Sequence, residues 1–137
     1  MTINSNTERG IFMKTVISAA GAPAAIGPYS HAIVAGDLVF TSGQIPLVPE
    51  TGKLAGDTIE VQTEQVFKNL ESVLTAAGVT FADVVKTTVF ITDLANFKAV
   101  NEIYATRFPN DPPARSCFQV CALPGGAMVE IEMIAHK

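Results

Sequence analysis

The chain reads as an α+β protein: a two-layer sheet with two helices on one face. Three observations predict this. Two segments carry apolar residues at helical spacing, Val66, Phe67, Leu70, Val73, Leu74 and Ala77 in one, and Phe97, Val100, Tyr104 and Phe108 in the other. Six short segments rich in β-branched residues surround them. The order of segments, β-β-β-α-β-α-β-β, places two helices against one sheet and leaves the far side of that sheet without cover from its own chain.

The elements follow in order. Residues 1–13, MTINSNTERGIFM, are polar and aperiodic, and read as a flexible extension before a single domain over 14–137. Lys14–Ser18 is a strand, and the Gly- and Pro-rich run Ala19–Tyr29 a loop. His31–Ala35 and Leu38–Ser42 flank Gly36 and Asp37 and form a hairpin. Pro46, Pro49 and Gly52 make the stretch from Gly43 to Gly56 another loop. A helix spans Thr58–Ala77, with Asp57 or Thr58 capping its start and Gly78 just past its end. Ala82–Thr92 is a long strand. A second helix starts at Asp93 or Asn96 and ends near Phe108, where Pro109 stops it. Ala114–Ala122 and Met128–Ala135 complete the sheet. In the last strand Val129, Ile131, Met133 and Ala135 share one face, while Met128, Glu130, Glu132, Ile134 and His136 share the other. A semi-apolar second face with a few polar residues is the pattern of a subunit interface with embedded sites.

Composition narrows the function. The chain has 137 residues, 48% of them hydrophobic and 16% charged, with a net charge of −4. Lys and Arg are scattered, so nucleic-acid binding by a basic surface is disfavoured. No apolar run reaches membrane-spanning length and no leader pattern opens the sequence, which makes the cytoplasm the expected location. His31 and His136 have no partners at metal-ligand spacing, so no metal site is expected. Cys117 and Cys121, if both lie in one strand, point to the same side roughly 13 Å apart. That separation excludes a disulfide between them.

The chemically richest stretch is PPARSCFQVCALPGGAMVEIEM, which begins at Pro112. It sets Arg115 in one apolar run and Glu130 in the next. A guanidinium among apolar neighbours needs an anionic partner. Either Glu130 neutralises Arg115 and the pair is structural, or the two face a shared cavity, where one holds a carboxylate and the other handles protons. Arg115 and Cys117 share strand parity. Tyr29, in GPYSHA, is a core residue or a ligand contact. Ser42 and Gly43, in FTSGQIP, form an ordinary turn or let a ligand approach the backbone. Asn101 bridges backbone groups or touches a ligand.

Taken together, GPYSHA, FTSGQIP, KTTVFITDLANFKAVN, PPARSCFQV and VEIEMIA, in that order over residues 14–136, resemble the reactive intermediate deaminase family, and PARSC and EIE are the most diagnostic blocks. The resemblance implies a homotrimer with a chorismate-mutase-like fold, its three sheets forming a central barrel with the helices outside and the sites in clefts between subunits. It implies hydrolysis of 2-iminobutanoate and 2-iminopropanoate to 2-oxo acids and ammonia, which protects pyridoxal-phosphate enzymes and needs no cofactor. On that reading Arg115 clamps the substrate carboxylate and Glu130 activates water. Tyr29, Ser42, Gly43, Asn101 and Cys117 line the cleft. The alternative is a non-catalytic trimer that binds small carboxylates in a regulatory role, which has no need of Glu130 as a base. A partner role with protein or RNA is weakest, given the acidic balance. His31 departs from a frequent Gln; it adjoins Tyr29 and could tune pH response, but a plain surface or interface histidine is the expected reading. Cys121 replaces a residue that is usually small.

Overall fold

The structure, a computed structural model, describes residues 2–6 and 12–137, with side chains described from Met13 onward. Two helices pack on one face of a mixed sheet of seven strands. The strands are β1 (Thr2–Asn6), β2 (Phe12–Ile17), β3 (Ala32–Ala35), β4 (Leu38–Thr41), β5 (Val84–Ile91), β6 (Ala114–Gln119) and β7 (Val129–His136), and the helices are α1 (Ile59–Ala76) and α2 (Phe97–Arg107). The order across the sheet is β1-β2-β3-β4-β7-β5-β6. Among the described strands only β5 and β6 run parallel, because α2 carries the chain back over the sheet between them. β1 falls within the segment read as an extension, and its backbone pairs with β2 from Thr2 opposite Val16 to Asn6 opposite Phe12.

Local chemistry explains the elements. Thr58 caps α1 by accepting a hydrogen bond from the Val61 amide at 3.2 Å. Gly78, at φ 81°, follows the helix in a left-handed conformation that residues with a Cβ avoid. Gly36, at φ 59°, turns the β3–β4 hairpin as the sequence predicts. The second helix starts later than Asp93. Asp93 instead caps a short 3-10 turn over Leu94–Asn96, accepting from the Ala95 amide at 2.9 Å, and α2 follows directly.

The core lies between helices and sheet. Val66, Phe67, Leu70, Val73 and Leu74 of α1 are all buried, and they meet Val129, Ile131, Met133 and Ala135 of β7. The predicted alternation in β7 is what the burial shows. Phe67 makes edge-on contacts with Phe81 and Tyr104, each at 5.9 Å between ring centroids. Such pairs each add about 0.5–1.5 kcal/mol beyond the area they bury. α2 departs from its predicted stripe at one position. Val100, Tyr104 and Phe108 are buried, whereas Phe97 is 37% exposed.

Among the described residues no helix covers the opposite face of the sheet. That face presents Phe40, Phe118 and Ile134, with Phe118 54% exposed and stacked on Phe90 at 6.4 Å. β6 ends at Gln119, three residues before the predicted end, so Cys121 lies beyond the strand and the expectation that both cysteines share its face does not hold. Both are free thiols, Cys117 half-buried and Cys121 exposed. No described helix is long and apolar enough to cross a membrane.

Candidate functional site in two halves

The register of β5 with its two neighbours decides where the key charges point. Arg115 lies beside Thr87 and Cys117 beside Val89, both of which are buried under the helices. Glu130 lies opposite Phe90, which faces the uncovered side. Residues directly paired across a sheet share a face. Arg115 and Glu130 of one chain therefore sit on opposite faces. Among the described residues the only salt bridge is Arg107 to Glu64, at 2.7 Å. The reading of Arg115 and Glu130 as a structural pair is overturned within the chain, and so is a cavity that one chain closes around both.

The first half-site is built around Glu130. A cavity of about 290 Å³ is lined by Ile26, Tyr29, Ser42, Gly43, Ile45, Pro124 and Glu130. The chain crosses β7 just after β4 through a two-way backbone bridge between Gln44 and Ile131, and this sets Gly43 against Glu130. A Cβ built on Gly43 would fall 2.9 Å from the Glu130 carboxyl carbon and closer still to Oε2. Only glycine leaves that space to the carboxylate. Burial raises the Glu130 pKa above the usual carboxylate range, and the like charge of Glu132 raises it further. Both effects strengthen it as a base.

Ser42 lines this cavity with its hydroxyl proton already committed, since Oγ donates to the Ser30 carbonyl at 2.6 Å. Its amide donates to the His31 carbonyl at 2.9 Å. Tyr29 is 46% exposed, so it is not a core residue. His31 is buried, not at a surface. Its Nδ1 accepts from the Ala19 amide at 2.9 Å, which leaves the proton on Nε2 to donate to the Pro23 carbonyl at 2.8 Å. It ties down the loop that delivers Tyr29.

The second half-site is built around Arg115. Asn101 accepts a hydrogen bond from Nη1 at 2.6 Å, so the Asn101 side chain serves the guanidinium and does not bridge backbone groups. The Arg115 Cζ lies 4.8 Å from the centre of the Tyr104 ring and 5.3 Å from that of Phe97. Leu94, Phe97, Arg115 and Cys117 line an open depression of about 500 Å³. Burial pushes the Cys117 thiol pKa up, against the opposing pull of Arg115, so it stays protonated at neutral pH. Among the described residues no group of three or more His, Cys, Asp or Glu is placed to hold a metal ion.

The sequence reading missed the residues that hold the Glu130 cavity in shape. Two buried amides on α1 do this. Asn69 Nδ2 donates to the carbonyls of Ile45 and Leu47, at 3.1 and 2.9 Å. Gln62 accepts from the Met128 amide and donates to the Gly56 carbonyl, each at 2.8 Å. Their signal was polarity inside an apolar stripe: Asn69 directly precedes Leu70, and Gln62 stands four residues before Val66. Ile26, Ile45 and Pro124 also escaped notice as cavity walls.

These features define an α+β domain that places the Arg115 guanidinium and the Glu130 carboxylate in two half-sites on opposite faces of its sheet. The chain belongs to the Endoribonuclease L-PSP family, whose model matches residues 19–137. It is 57% identical over 122 residues to the chloroplastic Reactive Intermediate Deaminase A of Arabidopsis thaliana, covering 89% of this chain and 65% of that longer protein. It is 48% identical over 123 residues to the 2-iminobutanoate/2-iminopropanoate deaminase of Mus musculus, covering 90% of this chain and 91% of that one. The crystal structure of E. coli TdcF with bound serine superposes with a TM-score of 0.84 at 41% identity, covering 90% of this chain and 98% of the other.

Proposed function

We propose that this protein hydrolyses small 2-imino acids, 2-iminobutanoate and 2-iminopropanoate, to 2-oxo acids and ammonia. The observation that carries the reading is Arg115. Its guanidinium touches two rings and one amide, has no carboxylate partner among the described residues, and borders an open depression. A rigid fork of donors in that state suits a guest carboxylate held by two parallel bonds. The names of the mouse and Arabidopsis relatives support the same chemistry. Serine, bound by the E. coli relative, has a carboxylate next to a carbon bearing nitrogen, as a 2-imino acid does.

In the proposed reaction Arg115 fixes the substrate carboxylate, and Glu130 removes a proton from a water molecule. The water oxygen bonds to the carbon of the protonated imine as the C=N π pair moves to nitrogen. Glu130 returns the proton to that nitrogen. The carbon–nitrogen bond then breaks, ammonia departs, and the oxygen's electron pair forms the carbonyl as Glu130 takes up the hydroxyl proton. A protonated imine is already electrophilic, so placing the reactants and supplying one base is sufficient and the step asks for no cofactor. Gly43 leaves room for the carboxylate, and Ile26, Ile45 and Pro124 give the cavity apolar walls beside it.

The two halves must come from different copies, because one chain presents them on opposite faces of its sheet. A homotrimer of the chorismate-mutase type, with the uncovered faces turned into a central barrel, is the assembly we propose. The exposed Phe40 and Phe118 on that face support it. The cytoplasmic location expected from the sequence stays part of the proposal. A purely carboxylate-binding role leaves the raised basicity of Glu130 without a use. The test is to generate the imine with a threonine dehydratase in the presence of an imine trap. Wild-type protein should divert imine from the trap to 2-oxobutanoate, and equal partitioning with and without it would remove the enzymatic reading.

A further inference from the structure

Phe97, Asn101 and Tyr104 stand at i, i+4 and i+7 along α2, so one stripe of the helix meets one guanidinium. Tyr104 is the fixed member. Its ring is buried, and its hydroxyl pairs with that of Thr87 at 2.7 Å. Thr87 is itself the β5 residue registered with Arg115. Phe97 is the free-standing member, on the solvent side, where it also lines the depression. Had Phe97 served only the core, its position in the stripe would have buried it with Val100.

We propose that Phe97 and Tyr104 are positioning residues that hold the Arg115 guanidinium ready for a substrate carboxylate, with Asn101 fixing one of its nitrogens. The clamp rests on the deaminase reading for its purpose. A guanidinium over aromatic rings is partly stripped of water and held by the ring quadrupoles. The Asn101 bond engages Nη1, and no other hydrogen bond from Arg115 is made among the described residues. The remaining N–H groups are therefore available to a carboxylate entering the depression. Arg is a long, rotamer-rich side chain, and holding it in place before binding reduces the entropy lost when the ligand arrives.

Phe97 is the residue to change, because its exposure lets the fold tolerate substitution. In Phe97→Leu the dissociation constant for 2-oxobutanoate, measured by titration calorimetry, should rise about tenfold, with an unchanged denaturation midpoint. Phe97→Trp restores the aromatic face and should bind within about twofold of wild type on the same basis. The NMR signal of the Arg115 Nε–H reports the clamp without any ligand. It should be a resolved, slowly exchanging resonance in wild type and Phe97→Trp, and broadened in Phe97→Leu.

Equal affinity in wild type and Phe97→Leu, or equal losses in the Leu and Trp variants, would overturn the clamp. If wild type fails to bind 2-oxobutanoate, the deaminase reading falls and the Nε–H signal decides the clamp by itself. A signal unchanged in Phe97→Leu overturns it, and a signal lost only there upholds it.

Discussion

Arg115 and Glu130 lie on opposite faces of one sheet, Arg115 under α2 beside Thr87 and Glu130 across from Phe90 on the uncovered side. Neither neutralises the other within the chain. Each is maintained by its own surroundings: Asn101 and two rings hold the cation, while Gly43 and a half-buried cavity hold the acid.

Gly43→Ala should be nearly inactive and yet folded. Gly43 has no positive φ, so alanine suits its backbone, and the nearest obstacle is the Glu130 side chain. Pushing that group aside by about 1 Å should lower kcat/KM about 100-fold. The stability cost should be about 1–2 kcal/mol, as for other overpacked sites. Steady-state rates and urea unfolding measure both.

Activity should fall in acid as Glu130 takes up a proton. A base acts only while ionised, and burial together with Glu132 holds the Glu130 pKa above the ordinary carboxylate value. The acidic limb of kcat/KM should therefore lie above the range of a free carboxylate. Glu132→Gln removes the like charge and should move that limb to lower pH. Glu130→Gln should abolish the limb along with most of the rate. A pH–rate profile of the three proteins checks this.

Asn69→Leu should be strongly destabilising, by about 2–4 kcal/mol, because two backbone carbonyls lose their donor in a buried setting. The Ile45 segment should loosen with it. Hydrogen exchange at residues 44–48 should speed up more than exchange in β7.

The Arg107–Glu64 bridge ties α2 to α1 and has a modest value. The bond from Arg107 lowers the Glu64 pKa, so its contribution is present above the unfolded carboxylate pKa and is lost as pH falls through the lower folded value. Glu64 is 42% exposed, so solvent screens the pair. Arg107 also lies over the Phe67 ring at 5.2 Å. Arg107→Met should cost about 1 kcal/mol at pH 7 and less at pH 3. Urea unfolding at the two pH values measures the difference.

The parts of this structure that were legible in the sequence are those that local chemistry decides. Thr58 and Gly78 bracket α1, Gly36 turns the hairpin, and the alternation from Val129 to Ala135 orders β7. Parity within one strand correctly placed Arg115 and Cys117 on one side. Parity says nothing about which face another strand presents, so the opposition of Arg115 and Glu130 was invisible until the register of β5 was known. Phe97 looked like core because its spacing matched Val100 and Tyr104, and no spacing rule shows that its ring meets the Arg115 cation carried by β6. His31 looked superficial because its two partners, the Ala19 amide and the Pro23 carbonyl, are backbone groups of a loop with no periodicity. Asn69 and Gln62 act through backbone atoms of distant loops, which no spacing rule encodes.

The most direct test of the divided site is complementation between two inactive variants. On the proposed reading Arg115→Ala lacks the carboxylate fork and Glu130→Ala lacks the base, so each alone should show no catalysis. Unfolded together at equal amounts and reassembled, random assortment should rebuild about a quarter of the sites with both groups intact, one from each copy. Recovery of about a quarter of wild-type activity is the expected result. A mixture as inactive as its two components, from assemblies shown to have exchanged subunits, would contradict the account.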